Sequence, residues 1–246
     1  MKHLGYLPDL HDPRDADHAA RLLKLAAPPP SASLRESVVS ILDQNPLGSC
    51  VANAVGQAIR VRLFVKGETD AELTSRLFAY WHSRNQHGDT KNDSGTYIRT
   101  CIKVLNVLGR PPERIWPYVP AKFTEKPPPI VLSHAHDKRA AKYHRVDEVG
   151  TARVPILKAA VAAGMPFVFG TLVSVPFTND KGPLVVGPPL NETIAGGHAM
   201  CGVGYDDAGV EVPNSWGTTW RNGGFIKLTW DYLTWASTQD IWIIDI

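Results

Sequence analysis

Gln44-Asn45-Pro46-Leu47-Gly48-Ser49-Cys50-Val51-Ala52-Asn53-Ala54-Val55-Gly56-Gln57-Ala58-Ile59-Arg60 joins two patterns at one thiol. Asn45-Pro46 and Gly48-Ser49 are turn formers. From Val51 onward, Val51, Ala54, Val55, Ala58, Ile59 and Leu63 recur at helical spacing on one face. Cys50 therefore stands where a turn gives way to a helix. The positive end of the helix dipole favours a thiolate and lowers the thiol pKa. The thiolate is the nucleophilic form, so a reactive cysteine belongs here. The plainer alternative is a buried cysteine that starts a helix.

A thiol nucleophile needs a base, and the base needs a group to orient it. Gly196-Gly197-His198-Ala199 leads into a strand-like run from His198 to Tyr205. A tight hairpin at Asp206-Asp207-Ala208-Gly209 then returns the chain toward Asn214-Ser215-Trp216-Gly217. His198 is the candidate base and acid, and Asn214 the residue that would accept its second N–H. The other histidines have no such setting and are assigned to the surface or to packing.

These segments resemble the papain-like cysteine peptidases. The matching pieces are Gln44 six residues before Cys50, Gly48-Ser49-Cys50, Gly197-His198-Ala199 and Asn214-Ser215-Trp216-Gly217. Trp116-Pro117-Tyr118, and Trp220 with Asn222-Gly223-Gly224-Phe225, match as well. The order Gln, Cys, His, Asn is the family's, and the resemblance runs from about Leu34 to the C-terminus. Leu47 stands where the family pattern has a cysteine, and Val51 where it has an aromatic residue. The disulfide that usually starts at Leu47's position is thus absent, which points to a bacterial-type branch and a reducing environment. Pro213, just before Asn214, departs from a regular strand because it has no N–H to give a ladder.

The resemblance implies an α+β fold of two lobes with a cleft between them. The implied domains are an N-terminal extension over 1–33 and a peptidase domain over 34–246. Within the latter, a helical lobe spans about 48–118 and a β-barrel-like lobe about 119–246. Cys50 would attack the scissile carbonyl, with Cys50 and His198 held as a thiolate–imidazolium pair. Gln44 and the backbone N–H of Cys50 would stabilise the oxyanion, although a polar turn residue is the plainer reading of Gln44. Trp216 would cover the His198–Asn214 bond or simply pack in the core. Gly95 would pair its backbone with an extended substrate, unless it only starts a helix. Thr96, Tyr97, Gly170 and Gly196 would line the pocket for the second side chain before the scissile bond. Their small size implies room for a large apolar group. The reaction would be endopeptidase hydrolysis through a thioester. A transpeptidase or amide ligase with the same triad, and a catalytically silent binding module, are the alternatives.

Composition bounds the rest. The 246 residues carry 26 Lys+Arg against 24 Asp+Glu, and this near balance argues against a nucleic-acid partner. The basic run from Lys138 to Arg145 reads as a solvated face. The cysteines number 3, and Cys101 and Cys201 read as buried apolar residues. No clustered metal spacing or phosphate loop appears, so neither a metal nor a cofactor is expected. No apolar run suits a signal peptide or a membrane span. The expected setting is cytoplasmic, with signal-independent secretion left open, and the expected state is a monomer.

Helices are expected over about 74–84, 97–108 and 154–163. Strands are expected over about 143–149, 167–173, 198–205, 224–229 and 241–244. Ala16 to Ala27 has the pattern of a short amphipathic helix with Leu22, Leu23 and Leu25, and Pro28-Pro29-Pro30 reads as a stiff linker. The family commonly silences its peptidases with an N-terminal pro-segment, so the sequence is also read as a zymogen. Residues 1–33 would then cover part of the cleft. The alternative is a strap packed on the back of the fold.

Overall fold

Residues 2–10, 12, 27–68, 71–135 and 142–246 are described by the structure, a computed structural model. The chain begins with β1 (Tyr6–Leu7) and β2 (Ala32–Ser33). Three helices then follow with one short strand among them: α1 (Cys50–Val65), α2 (Arg76–Asn85), β3 (Thr96–Tyr97) and α3 (Ile98–Leu108). After α4 (Pro129–Ser133) come β4 (Lys142–Val146), α5 (Val154–Ala162), β5 (Phe167–Ser174) and β6 (Val185–Val186). The rest is β7 (Ile194–Gly202), β8 (Gly204–Tyr205), β9 (Gly209–Pro213), β10 (Phe225–Thr229), α6 (Trp230–Thr234) and β11 (Gln239–Asp245). The leucines of the helix expected over 16–27 lie outside the described residues, as does part of the basic run 138–145.

The strands form two open sheets, ordered β4-β11-β5-β7 and β2-β8-β9-β10-β6, and a separate pair β1-β3. The β-rich part is thus two sheets, and no closed barrel forms among the described residues. One buried cluster joins α1, α2 and α3 to β5, β7 and β11. A second joins α5 and α6 to the two sheets around Trp216 and Trp220.

The central helix differs from its sequence reading. One apolar face was expected on α1, but every residue from Cys50 to Ile59 is buried, Asn53 and Gln57 included. The helix lies between α2 and α3 on one side and β7 and β11 on the other. A helix inside the fold has no solvent face to keep polar. This burial on all sides fixes where Cys50 sits.

Local rules set the other boundaries. Ser75 caps α2 by accepting from the Phe78 N–H. Gly109 ends α3 at a φ of 90°. Asp206 accepts from the N–H groups of Ala208 and Gly209 at the hairpin between β8 and β9. Pro213 is the last residue of β9, opposite Phe225, and the next bond runs from the Asn214 N–H to the Gly224 carbonyl. At a strand end the missing N–H is tolerated.

Candidate active site

Cys50 is the first residue of α1 and is fully buried. The loop that delivers it is pinned at two points. The Gly48 N–H donates to the Asp93 carboxylate at 2.9 Å, and that carboxylate also accepts from the Tyr80 hydroxyl. The Tyr118 hydroxyl donates to the Gln44 carbonyl at 2.6 Å and lies 2.6 Å from Ser49 Oγ. These anchors hold 44–49 as a rigid cradle under the thiol.

His198 lies in β7 opposite Thr171 of β5. Its Nε2 is 2.8 Å from Asn214 Oδ1, which also accepts from the Ser215 N–H at 2.8 Å. An amide oxygen only accepts, so Nε2 carries the proton. Trp216 stacks on the imidazole, with ring centroids 4.6 Å apart and planes 24° apart. Both residues are buried, so the Asn214 bond is kept from water.

The thiol–imidazole bond is not formed in this state. His198 Nδ1 has no hydrogen-bond partner. Burial pushes the Cys50 thiol up to about 11, opposed by backbone groups of Ala199 and Gly5. Burial also lowers the His198 imidazole to about 4, opposed by the Asn214 bond. Both shifts favour the neutral forms. Both directions run against the expected thiolate–imidazolium pair while the cleft is covered. The physical reason is desolvation of both groups under a covered cleft.

The N-terminal residues are what covers it. Gln44 is buried, and its Oε1 accepts from Ser215 Oγ at 2.6 Å. Its Nε2 donates to the Leu47 carbonyl and to the His3 carbonyl, each at 3.0 Å. A strap carbonyl thus occupies the donor expected to serve an oxyanion. Beyond it, β1 pairs with β3 in parallel, Tyr6 opposite Thr96 and Leu7 opposite Tyr97. The Thr96 N–H donates to the Gly5 carbonyl at 2.8 Å. Gly95 has a φ of 76°, and a Cβ there would strike that carbonyl. The glycine is needed for backbone approach as well as for its conformation.

The Tyr6 ring enters the pocket expected for a substrate side chain. A Cβ at Gly170 would overlap the ring, and one at Gly197 would meet both the ring and the Tyr6 carbonyl. Gly196 faces Leu4 instead, so Gly197 takes the wall position expected of Gly196. Thr96 is buried beside the strap, whereas the Tyr97 ring lies 4.6 Å from His87. The pocket is not wholly apolar, because the Tyr6 hydroxyl donates to Asp240 Oδ2 at 2.5 Å. The same oxygen accepts from the Asp9 N–H at 2.6 Å, and Oδ1 meets the Arg145 guanidinium at 3.2 Å.

Sequence reasoning missed Asp240, Tyr118 and Asp93 as parts of this site. Tyr118 was visible only as one letter of Trp116-Pro117-Tyr118. Asp240 had a weak signal, an acid beside the apolar run Ile241-Trp242-Ile243-Ile244. No group of metal-binding side chains occurs among the described residues.

The sequence model of the papain family cysteine proteases matches residues 28–238. An uncharacterised peptidase C1-like protein of Acanthamoeba polyphaga mimivirus is 35% identical, over 84% of this chain and 70% of that protein. The crystal structure of xylellain, a cysteine protease from Xylella fastidiosa, superposes with a TM-score of 0.88 at 32% identity, covering 99% of this chain and 96% of that one. The pro-form of a cathepsin B from Trypanosoma congolense superposes with a TM-score of 0.70 at 17% identity, over 98% and 85% of the two chains. The last likeness concerns the fold alone.

Proposed function

Because this chain belongs to the papain family of cysteine proteases and is a hydrolase of peptide bonds, we propose that it cleaves them with Cys50, His198 and Asn214, and that residues 2–10 lower its activity by covering part of the cleft. Cys50 Sγ attacks the scissile carbonyl, and His198 Nδ1 takes the thiol proton. The tetrahedral oxyanion is received by Gln44 Nε2 and the Cys50 N–H. Collapse expels the amine, protonated by His198, and leaves a thioester. Water, deprotonated at the same Nδ1, then releases the acid. Asn214 keeps the imidazole in the tautomer this requires.

The observation that carries the reading is the His3 carbonyl on Gln44 Nε2. It sits on the donor that an oxyanion would use, and two residues on a Gly5 backbone group meets the buried thiol. The strap also runs parallel to β3. A substrate paired antiparallel there would run the other way, so the strap occupies the cleft without presenting a bond for attack.

Cys50→Ala tests the chemistry. Loss of a triad member costs several orders of magnitude in rate. Peptide hydrolysis by the full chain should fall to background while its circular dichroism is unchanged. Wild-type turnover in the purified alanine variant would remove Cys50 from the mechanism.

A further inference from the structure

Asp240 closes the end of the pocket that Tyr6 fills. It stands near the start of β11, where the register against β5 shifts between Gln239 and Trp242. Its φ is 50°, a left-handed conformation that a non-glycine residue adopts at some energetic cost. Irregularities of this kind re-aim a side chain. Here the carboxylate reaches the Tyr6 hydroxyl, with only 3% of the side chain exposed. Gly170 and Gly197 supply flat walls against which the ring fits.

We propose that Asp240 makes this pocket select tyrosine as the second side chain before the scissile bond. The proposal rests on the peptidase reading above, since a pocket selects only if a substrate enters it. The Tyr6 ring spans the distance from the strap backbone to Asp240 Oδ2. The Asp9 N–H on that oxygen leaves with the strap, so a substrate phenylalanine in the ring's place would leave Oδ2 without either of its present donors. Leaving a buried acceptor unpaired is worse than never having built it. A lysine or arginine meets a different obstacle. Asp240 is already paired with Arg145, which also lies 3.9 Å from Asp9 while the strap is docked. When Asp9 leaves with the strap, Asp240 keeps the Arg145 guanidinium, which it shares with Asp147 at 2.8 Å, as its cationic partner. A neutral O–H donor can bond Oδ2 without displacing the guanidinium on Oδ1, whereas a further cation would face that guanidinium.

The test offers the full-length chain matched peptides that carry Tyr, Phe, Leu or Arg at this one position. Both substrates of a pair meet the same enzyme, so the fraction of molecules with an open strap cancels from the ratio of their kcat/KM values. Tyr should exceed Phe by about 10- to 100-fold, the range for a hydrogen bond to a charged acceptor. Asp240→Ala should bring the ratio near one. It also loosens the strap and raises all rates, so only the ratio is diagnostic. Equal handling of Tyr and Phe by the wild type overturns the proposal, as does a preference for Arg or a Tyr preference that survives Asp240→Ala. If the alanine variant does not fold, the wild-type ratio still decides, and isosteric Asp240→Asn should keep Tyr ahead by a smaller factor. Peptidyl vinyl sulfones with the same side chains, scored by the mass of the labelled chain, separate the two readings. Labelling of Cys50 without a Tyr preference defeats this proposal alone. Absence of both labelling and turnover defeats it together with the peptidase reading.

Discussion

Residues 2–10 and residues 27–35 belong to one N-terminal stretch, yet they hold to the body on different terms. The first group docks on the Gln44 amide, the Thr96 N–H, Gly95 and Asp240, the groups that the proposed mechanism assigns to a substrate. The second docks on a sheet edge. There β2 pairs with β8, the Leu34 N–H donates to the Val203 carbonyl, and the Tyr205 hydroxyl donates to the Pro29 carbonyl at 2.8 Å. Arg35 adds an ion pair with Glu211 and lies over the Phe225 ring. The segment is therefore a latch followed by a tether. On the proposed reading, the two accounts of residues 1–33 that the sequence left open, inhibitor or strap, would each describe a different part of it. A tether also keeps the latch at high local concentration, so a weak latch suffices.

The comparison breaks most readily at Tyr6. Tyr6→Ser removes a buried ring, worth about 1.5–3 kcal/mol, and a hydrogen bond to a carboxylate, worth about 1.5–3 kcal/mol. The strap should open, and labelling of Cys50 by a peptidyl epoxide should quicken by about a hundredfold or more, at 1.4 kcal/mol per tenfold. Equal labelling rates in the variant and the wild type would mean that residues 2–10 do not limit access.

The latch should also respond to pH, and in an unusual direction. Asp9 is enclosed by Asp240, Arg145, Arg99, Tyr6 and Trp242. Burial and the Asp240 carboxylate push it up to about 6, against bonds from Trp242 and Arg99 that pull it down. Released into water, an aspartate titrates near ~3.9. The docked form thus binds the proton more tightly. The resulting stability is complete below about 3.9 and is lost as the pH rises through about 6. The strap should tighten in mild acid and loosen toward neutrality. Hydrogen exchange at the Thr96 amide reports this without involving the thiol. Its protection, corrected for intrinsic exchange, should rise about tenfold from about pH 7 to pH 5. Asp9→Asn should flatten the dependence. Protection that falls on acidification would reverse the assignment.

What the sequence made legible follows the same division. Cys50, His198 and Asn214 each sit in a local signature, because the roles proposed for them, nucleophile, base and orienting group, each need particular neighbours. The helices α2, α3 and α5 begin and end within two residues of their sequence readings, because caps and prolines act locally. The latch had no such signature. β1 is two residues long, too short for any periodicity, and its tie to the body joins Tyr6 to a residue 234 positions away. Asp240 is likewise defined by what reaches it from the far end of the chain. The burial that pushes the Cys50 thiol up and the His198 imidazole down was hidden for the same reason, since it depends on being covered. The family match itself begins at residue 28, after the latch.

The tether supplies the smallest effect and the control for the others. Tyr205→Phe deletes the hydroxyl that holds the Pro29 carbonyl, while the ring stays buried beside Trp230. Pro29 is exposed, so its carbonyl can bond water once the hydroxyl is gone. The loss should therefore lie at the low end for a hydrogen bond, about 0.5–1 kcal/mol of global stability in urea unfolding. Neither Gln44 nor Asp240 touches this contact, so labelling of Cys50 should keep its wild-type rate. If Tyr205→Phe instead quickened labelling as much as Tyr6→Ser, latch and tether would release as one unit. The N-terminal stretch would then be a single inhibitory element, and the distinction between its two parts would fall.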